Sequence, residues 1–172
     1  MGPPVIDFVG PIAWPVLQGM FDALYPAGLQ WYWKADFFKD LPDKAIDLHV
    51  KYGSQLPSFH STMHIYPING AAHRASKDDM AFNFRDANFA EVIVGVDPDP
   101  ANNDRIVQWA KDYWLALHPH SAGGGYINMM MDEGEDNVKA AYRDNYARLA
   151  QIKATYDPAN LFRVNQNVPP HA

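Results

Sequence analysis

Glu91 is the first residue of this sequence whose position asks for a chemical explanation. It lies among Phe89, Val92, Ile93 and Val94, where a carboxylate costs free energy unless it is paired or solvated. Either the side chain faces water at a sheet edge, or it belongs to a site that exploits an acid weakened by apolar neighbours. Tyr126 and Asn128 form a second candidate pair. Two residues apart in a strand, a phenol and an amide share one face. There they either pack and satisfy a neighbouring backbone group or orient a bound hydroxyl. Asn165, Gln166 and Asn167 are three consecutive amides just before a proline pair; on their own they read as a frayed tail.

Seven histidines raise the question of a metal. His60 and His64 are four apart, but in a strand that spacing is roughly 13 Å, too far for one ion without further ligands. His118 and His120 flank Pro119, and there is no HExxH or cysteine-containing cluster, so no metal site is expected. His64 alternates with Thr62 and Tyr66 and is a better candidate for lining a cleft. Gly123-Gly124-Gly125 is not followed by Lys-Ser/Thr or by a helix, so it serves a tight turn or a close backbone approach rather than a phosphate. The acidic run over 132–136 suits a helix start and needs no ligand.

These residues have to be held by a scaffold, and the chain supplies one in order. Residues 1–15 are rich in proline and glycine and read as an extended linker, with a single domain over 16–172. A short helix is expected over 16–25 and a second over 42–52, entered at Pro42. Strands are expected over 29–38, 61–67, 80–85, 89–96 and 126–130, with Asn69-Gly70 as a turn. Residues 103–117 place Ile106, Ala110, Tyr113, Trp114 and Leu117 on one helical face. A long amphipathic helix follows, with Val138, Tyr142, Tyr146, Leu149, Ile152 and Tyr156 three or four apart, until Asp157-Pro158 stops it. Closely spaced strands pair antiparallel, so the fold class is α+β: an antiparallel β-sheet with helices packed on one face and the other face open. Trp31, Trp33, Tyr66 and Tyr126 make that open face more aromatic than water alone requires.

Composition narrows the class. The 172 residues are 48% hydrophobic, enough for one buried core. A net charge of −6 argues against a nucleic-acid partner. The absence of cysteine excludes a disulfide framework and thiolate chemistry. No apolar run is long enough to span a bilayer, and the first ten residues lack the basic start and apolar core of a signal peptide, so a cytoplasmic setting is the default.

The order YxN, a helix carrying NYxRLxxIKxxYDPxNLF, and NQN with a proline just after it resembles the C-terminal end of FAD-linked oxidases of the berberine-bridge-enzyme-like family. The similarity is strongest from Gly123 to Pro170 and looser from about Leu29 onward. It implies that the chain is the substrate-binding half of an FAD-dependent oxidoreductase acting on an organic alcohol, sugar or natural product. The flavin-binding domain, with its His or Cys flavin attachment, is then the partner in cis or trans, and this chain alone is not expected to bind FAD.

The resemblance also implies roles. Glu91 becomes the general base and Tyr126 a second catalytic residue, with Asn128 binding substrate beside it where both border the flavin. Trp31, Trp33, His64 and Tyr66 line the substrate cleft, and Asn165 and Asn167 approach the cofactor. Many relatives carry an aromatic residue after the Asn, where this chain has Met129. The alternative reading is a non-catalytic binding or dimerisation module that uses its aromatic sheet face.

Overall fold

The computed structural model describes residues 9–170, so residues 1–8 of the expected linker lie outside the described part. Within it, three strands form one antiparallel sheet in the order β1-β3-β2: β1 (Gln30–Phe38), β2 (Thr62–Pro67) and β3 (Phe89–Asp97). The sequence rule of β-branched and aromatic residues between turn signals found all three. The helices are α1 (Trp14–Gly19), α2 (Asp43–Gly53), α3 (Ala71–Arg74), α4 (Asn103–Leu117), α5 (Glu135–Tyr142) and α6 (Asn145–Tyr156). This is the expected α+β fold.

The two sheet faces differ in what covers them. On one, Ile93 of β3 and Phe38 of β1 pack with Ala45 of α2 and with Trp109, Ala110, Tyr113 and Leu117 of α4. This helical face holds the larger core, as the period of α4 required. On the other, Val92, Val94 and Val96 lie beneath Leu29, Trp31, Trp33 and Met129. Among the described residues no α-helix contributes a side chain to this valine cluster. α5 and α6 flank the sheet instead, beyond the outer edge of β1. There Phe37 N–H donates to the Gly124 carbonyl at 3.1 Å, and Ala122 N–H to the Phe37 carbonyl at 2.6 Å.

Two expected strands are not strands. Residues 80–85 are irregular, and the carbonyls of the first two are taken by a side chain instead of a neighbouring strand. The buried Asn145 amide donates to Met80 O at 3.1 Å and to Ala81 O at 3.2 Å. Their alternating aromatics are used all the same: Phe84 stacks on Phe37 at 4.2 Å and Phe82 meets it edge-on at 5.6 Å. Residues 126–130 hold a single 3₁₀ turn, Ile127–Met129, closed by Met129 N–H donating to Tyr126 O at 2.8 Å. The left-handed Gly123 and Gly124 aim the chain into it.

The expected long C-terminal helix is two helices. Arg143 adopts a left-handed φ of 49° between α5 and α6, an uncommon conformation for a side-chain-bearing residue. Its guanidinium compensates by lying 3.4 Å over Phe84 and donating to Ala122 O at 2.8 Å. Hydrophobic period alone carries through such a break, but the buried side of α6 is Asn145, Tyr146 and Ala150, and Ile152 and Tyr156 of the expected stripe are exposed. The expected N-terminal helix over 16–25 is also shorter, α1 followed by a 3₁₀ turn at Asp22–Leu24.

Candidate functional site: an aromatic sheet face and its amide rim

Strand alternation and register assemble the aromatic face. β1 and β3 pair so that Trp31 opposes Val96 and Trp33 opposes Val94. β2 and β3 pair so that Thr62 opposes Val94, His64 opposes Val92 and Tyr66 opposes Ala90. Trp31, Trp33, His64 and Tyr66 therefore point the same way, as four of the proposed substrate contacts must. Trp31 and Trp33 lie 6.0 Å apart, and the His64 and Tyr66 rings stack at 5.8 Å with 9° between their planes. Sequence reasoning missed Tyr25, which follows the short 3₁₀ turn. Its ring stacks on Trp31 at 5.5 Å and its hydroxyl lies 3.3 Å from His64 Nε2, so it ties the β1 side of the face to the β2 side. Thr62 Oγ1 sits 3.0 Å from the same nitrogen. Burial lowers the His64 pKa; burial, then the nearby Tyr25, raises that of Tyr66.

The 3₁₀ turn joins this face at one end. Met129 packs into the Trp31–Trp33–valine cluster, and Asn128 Nδ2 donates to Tyr126 Oη at 3.3 Å. The phenol and amide thus meet through a turn rather than along a strand. Tyr126 also borders a pocket of ≈ 190 Å³ with Phe37, Phe82 and Tyr142. Asn128 lines a larger recess of ≈ 890 Å³ with Arg163, Asn165 and Gln166, so one concavity collects the amide of the turn and the amides of the tail. Gln166 holds the tail there, its Nε2 donating to Met130 O at 2.9 Å and Met131 O at 3.0 Å. It lies between the two asparagines picked out by resemblance, and only its partners reveal its role. Asn165 has a left-handed φ of 62°, and Asn167 Oδ1 is buried without a partner.

Glu91 is elsewhere. Alternation puts it on the helical face with Ile93, 2% exposed, on the other side of the sheet from Trp31, Trp33, His64 and Tyr66. The water-facing reading of Glu91 therefore fails, and the sheet separates the residue from the aromatic face. Its register partner is Asp36, also 2% exposed. Glu91 makes no hydrogen bond; His49 Nε2 lies 3.8 Å away, but burial lowers the His49 pKa and so disfavours a charged partner. Desolvation, then the neighbouring Asp36 charge, pushes the Glu91 pKa up to about 8. Desolvation raises Asp36 to about 6 against the lowering effect of His118, whose Nδ1 lies 2.8 Å away. His49 Nδ1 in turn reaches the Tyr113 hydroxyl at 2.8 Å. Among the described residues, no group of three or more His, Cys, Asp or Glu side chains is arranged to hold a metal ion, and no helix is long and apolar enough to cross a membrane.

Residues 125–169, the stretch that forms the turn, α5, α6 and the tail, match the family described as berberine and berberine like. An uncharacterized FAD-linked oxidoreductase of Bacillus subtilis (strain 168), YgaK, is 30% identical over 132 residues, covering 77% of this chain and 29% of its own. An FAD-linked oxidoreductase of Dictyostelium discoideum is 26% identical over 171 residues, covering 98% of this chain and 37% of its own. The chain thus spans well under half the length of these relatives. Among solved structures, a glycopeptide hexose oxidase superposes with a TM-score of 0.73 at 19% identity, covering 81% of this chain and 32% of that one. Berberine bridge enzyme from Eschscholzia californica superposes with a TM-score of 0.72 at 20% identity, covering 84% and 34%. At such identities the likeness shows a shared fold.

Proposed function

The chain is a relative of the berberine-like FAD-linked oxidoreductases, and from that premise we propose that it supplies the substrate-facing sheet of such an enzyme. The observation that carries this is the common face of Trp31, Trp33, His64 and Tyr66, bordered at one end by the turn that carries Tyr126, Asn128 and Met129. Planar side chains presented on one sheet face hold a ring or sugar by stacking. Tyr126 and Asn128, already hydrogen-bonded to one another, orient a substrate hydroxyl beside it.

The residues present fit the polar edge of a flavin and nothing more of FAD. Asn128 and Asn165 share one recess, with the unpartnered Asn167 Oδ1 two residues further along the tail, which suits a ring edge that both donates and accepts hydrogen bonds. The glycine run is not a cradle for a pyrophosphate, because a Cβ on Gly124 would already meet Ala140 O at 2.6 Å. FAD, when bound, supplies the acceptor for the hydride. This chain's residues bind the reactant, fix its orientation and keep water from it.

The test is where a flavin-binding domain docks. Hydrogen exchange of the chain with and without the isolated flavin-binding domain of the Bacillus subtilis relative should protect residues 31–33, 62–66, 126–130 and 163–167. Protection confined to the outer surfaces of α2 and α4 would contradict the proposal.

A further inference from the structure

The sheet's alternation leaves the aromatic face short of one ingredient. An oxidation of a hydroxyl compound needs a group that can receive the hydroxyl proton, and both buried carboxyls, Glu91 and Asp36, point into the helical side. Of the side chains that β1, β2 and β3 send to the aromatic face, His64 is the one imidazole, and none is a carboxylate. Resting on the reading above of that face as the reactant floor, we infer that His64 is the proton acceptor for a hydroxyl-bearing aromatic compound stacked on Trp31 and Trp33, with Tyr25, Thr62 and Tyr66 positioning its ring.

Four observations support this. The His64 ring is held in one plane by its stack on Tyr66, at 5.8 Å and 9°. Its Nε2 is engaged by two hydroxyls, Thr62 Oγ1 at 3.0 Å and Tyr25 Oη at 3.3 Å. A hydroxyl oxygen accepts as readily as it donates, so the tautomer with the proton on Nε2 satisfies both contacts and leaves the Nδ1 lone pair for a ligand. Among the described residues Nδ1 has no hydrogen-bond partner, and it is not one of the fully buried unpaired polar atoms, so it is open to approach. Burial keeps the imidazole neutral at pH 7, the state that accepts a proton.

The proton balance is simple. The ligand O–H bond breaks, its proton goes to His64 Nδ1, and an oxyanion faces an imidazolium. The groups around the ring are hydroxyls, so the oxyanion is the counterion that the imidazolium meets first. Where the ligand is an alcohol, the oxyanion would weaken the C–H bond on its own carbon, and a flavin, were one bound, would supply the acceptor for that hydride as C=O forms. When the ligand leaves, the proton passes to water and the neutral ring is restored.

The probe is p-nitrophenol, whose ionised form is coloured and which ionises near neutral pH. At pH 6 the purified chain should bind it with quenching of tryptophan fluorescence, and bound probe should be enriched in phenolate over free probe. His64→Gln, which keeps size and polarity but not basicity, should retain the quenching and lose the phenolate enrichment by about tenfold, one pKa unit's worth. Trp31→Ala should weaken the quenching. Equal phenolate enrichment in His64→Gln, or neutral phenol alone bound to the unaltered chain, would overturn the assignment of His64 while leaving the aromatic floor standing. No quenching, or quenching indifferent to Trp31→Ala, would overturn the floor itself and the assignment with it.

Discussion

Asp36 and Glu91 face each other across adjacent strands, each 2% exposed, beneath α2 and α4. Two carboxyls in such a place cannot both ionise at low cost. Both pKa values are raised in the folded protein, Asp36 to about 6 and Glu91 to about 8. The stability they contribute is therefore fully present below the unfolded carboxyl pKa and is lost as pH rises through the folded values. Urea unfolding followed from pH 5 to pH 9 should show stability falling by a few kcal/mol up to about pH 8 and then levelling. Glu91→Gln should flatten most of that slope. A slope unchanged in Glu91→Gln would remove this pair from the titration.

The buried Asn145 amide is the clamp that keeps residues 77–85 out of the sheet. It donates to Lys77 O at 2.8 Å as well as to Met80 O and Ala81 O. Asn145→Ala removes a buried amide that bridges three carbonyls and should cost about 1–2 kcal/mol. Hydrogen exchange should rise over 77–85 and stay low in β3. Unchanged exchange over 77–85 would show that Phe82 and Phe84 packing on Phe37 suffices.

Gly123 and Gly124 have nearly the same φ, 74° and 73°, but different surroundings. A Cβ on Gly123 meets nothing within 4 Å, whereas one on Gly124 meets Ala140 O at 2.6 Å and the Phe84 ring at 2.8 Å. Gly123→Ala should cost about 1 kcal/mol from backbone strain alone. Gly124→Ala adds a backbone collision and should cost roughly 3 kcal/mol or more. Equal urea midpoints for the two variants would contradict the packing described here.

The tail is held by a side chain that buries little. Gln166→Ala removes both bonds to the Met130 and Met131 carbonyls. Global stability should change by less than about 1 kcal/mol, while hydrogen exchange over 163–168 rises. A tail as protected as before would shift the anchoring role to other contacts.

These variants also mark how far the sequence could be read. α4 was legible because Ile106, Ala110, Tyr113 and Leu117 repeat at helical period and are all buried. The shared face of Trp31 and Trp33 and that of His64 and Tyr66 were legible because alternation within one strand is a local rule. What was not legible depended on partners far along the chain. The clamping of 80–85 comes from Asn145, the break at Arg143 from Phe84, and the side of the sheet that Glu91 faces from its register with Asp36. Periodicity carries no information about any of these. Tyr25 escaped notice for the same reason, since its reach to His64 spans 39 residues.

The most direct test of the aromatic face as a reactant floor is flavin reduction in a chimera. This chain would replace the corresponding C-terminal part of the Bacillus subtilis relative, and the flavin absorbance would be followed without oxygen against a panel of small aromatic alcohols and sugars. The account predicts bleaching by at least one compound, slowed on the order of 100-fold by Trp33→Ala and untouched by Val50→Ala on the exposed surface of α2. Bleaching equally fast in Trp33→Ala, or no bleaching by any compound from a chimera that holds its flavin, would contradict it.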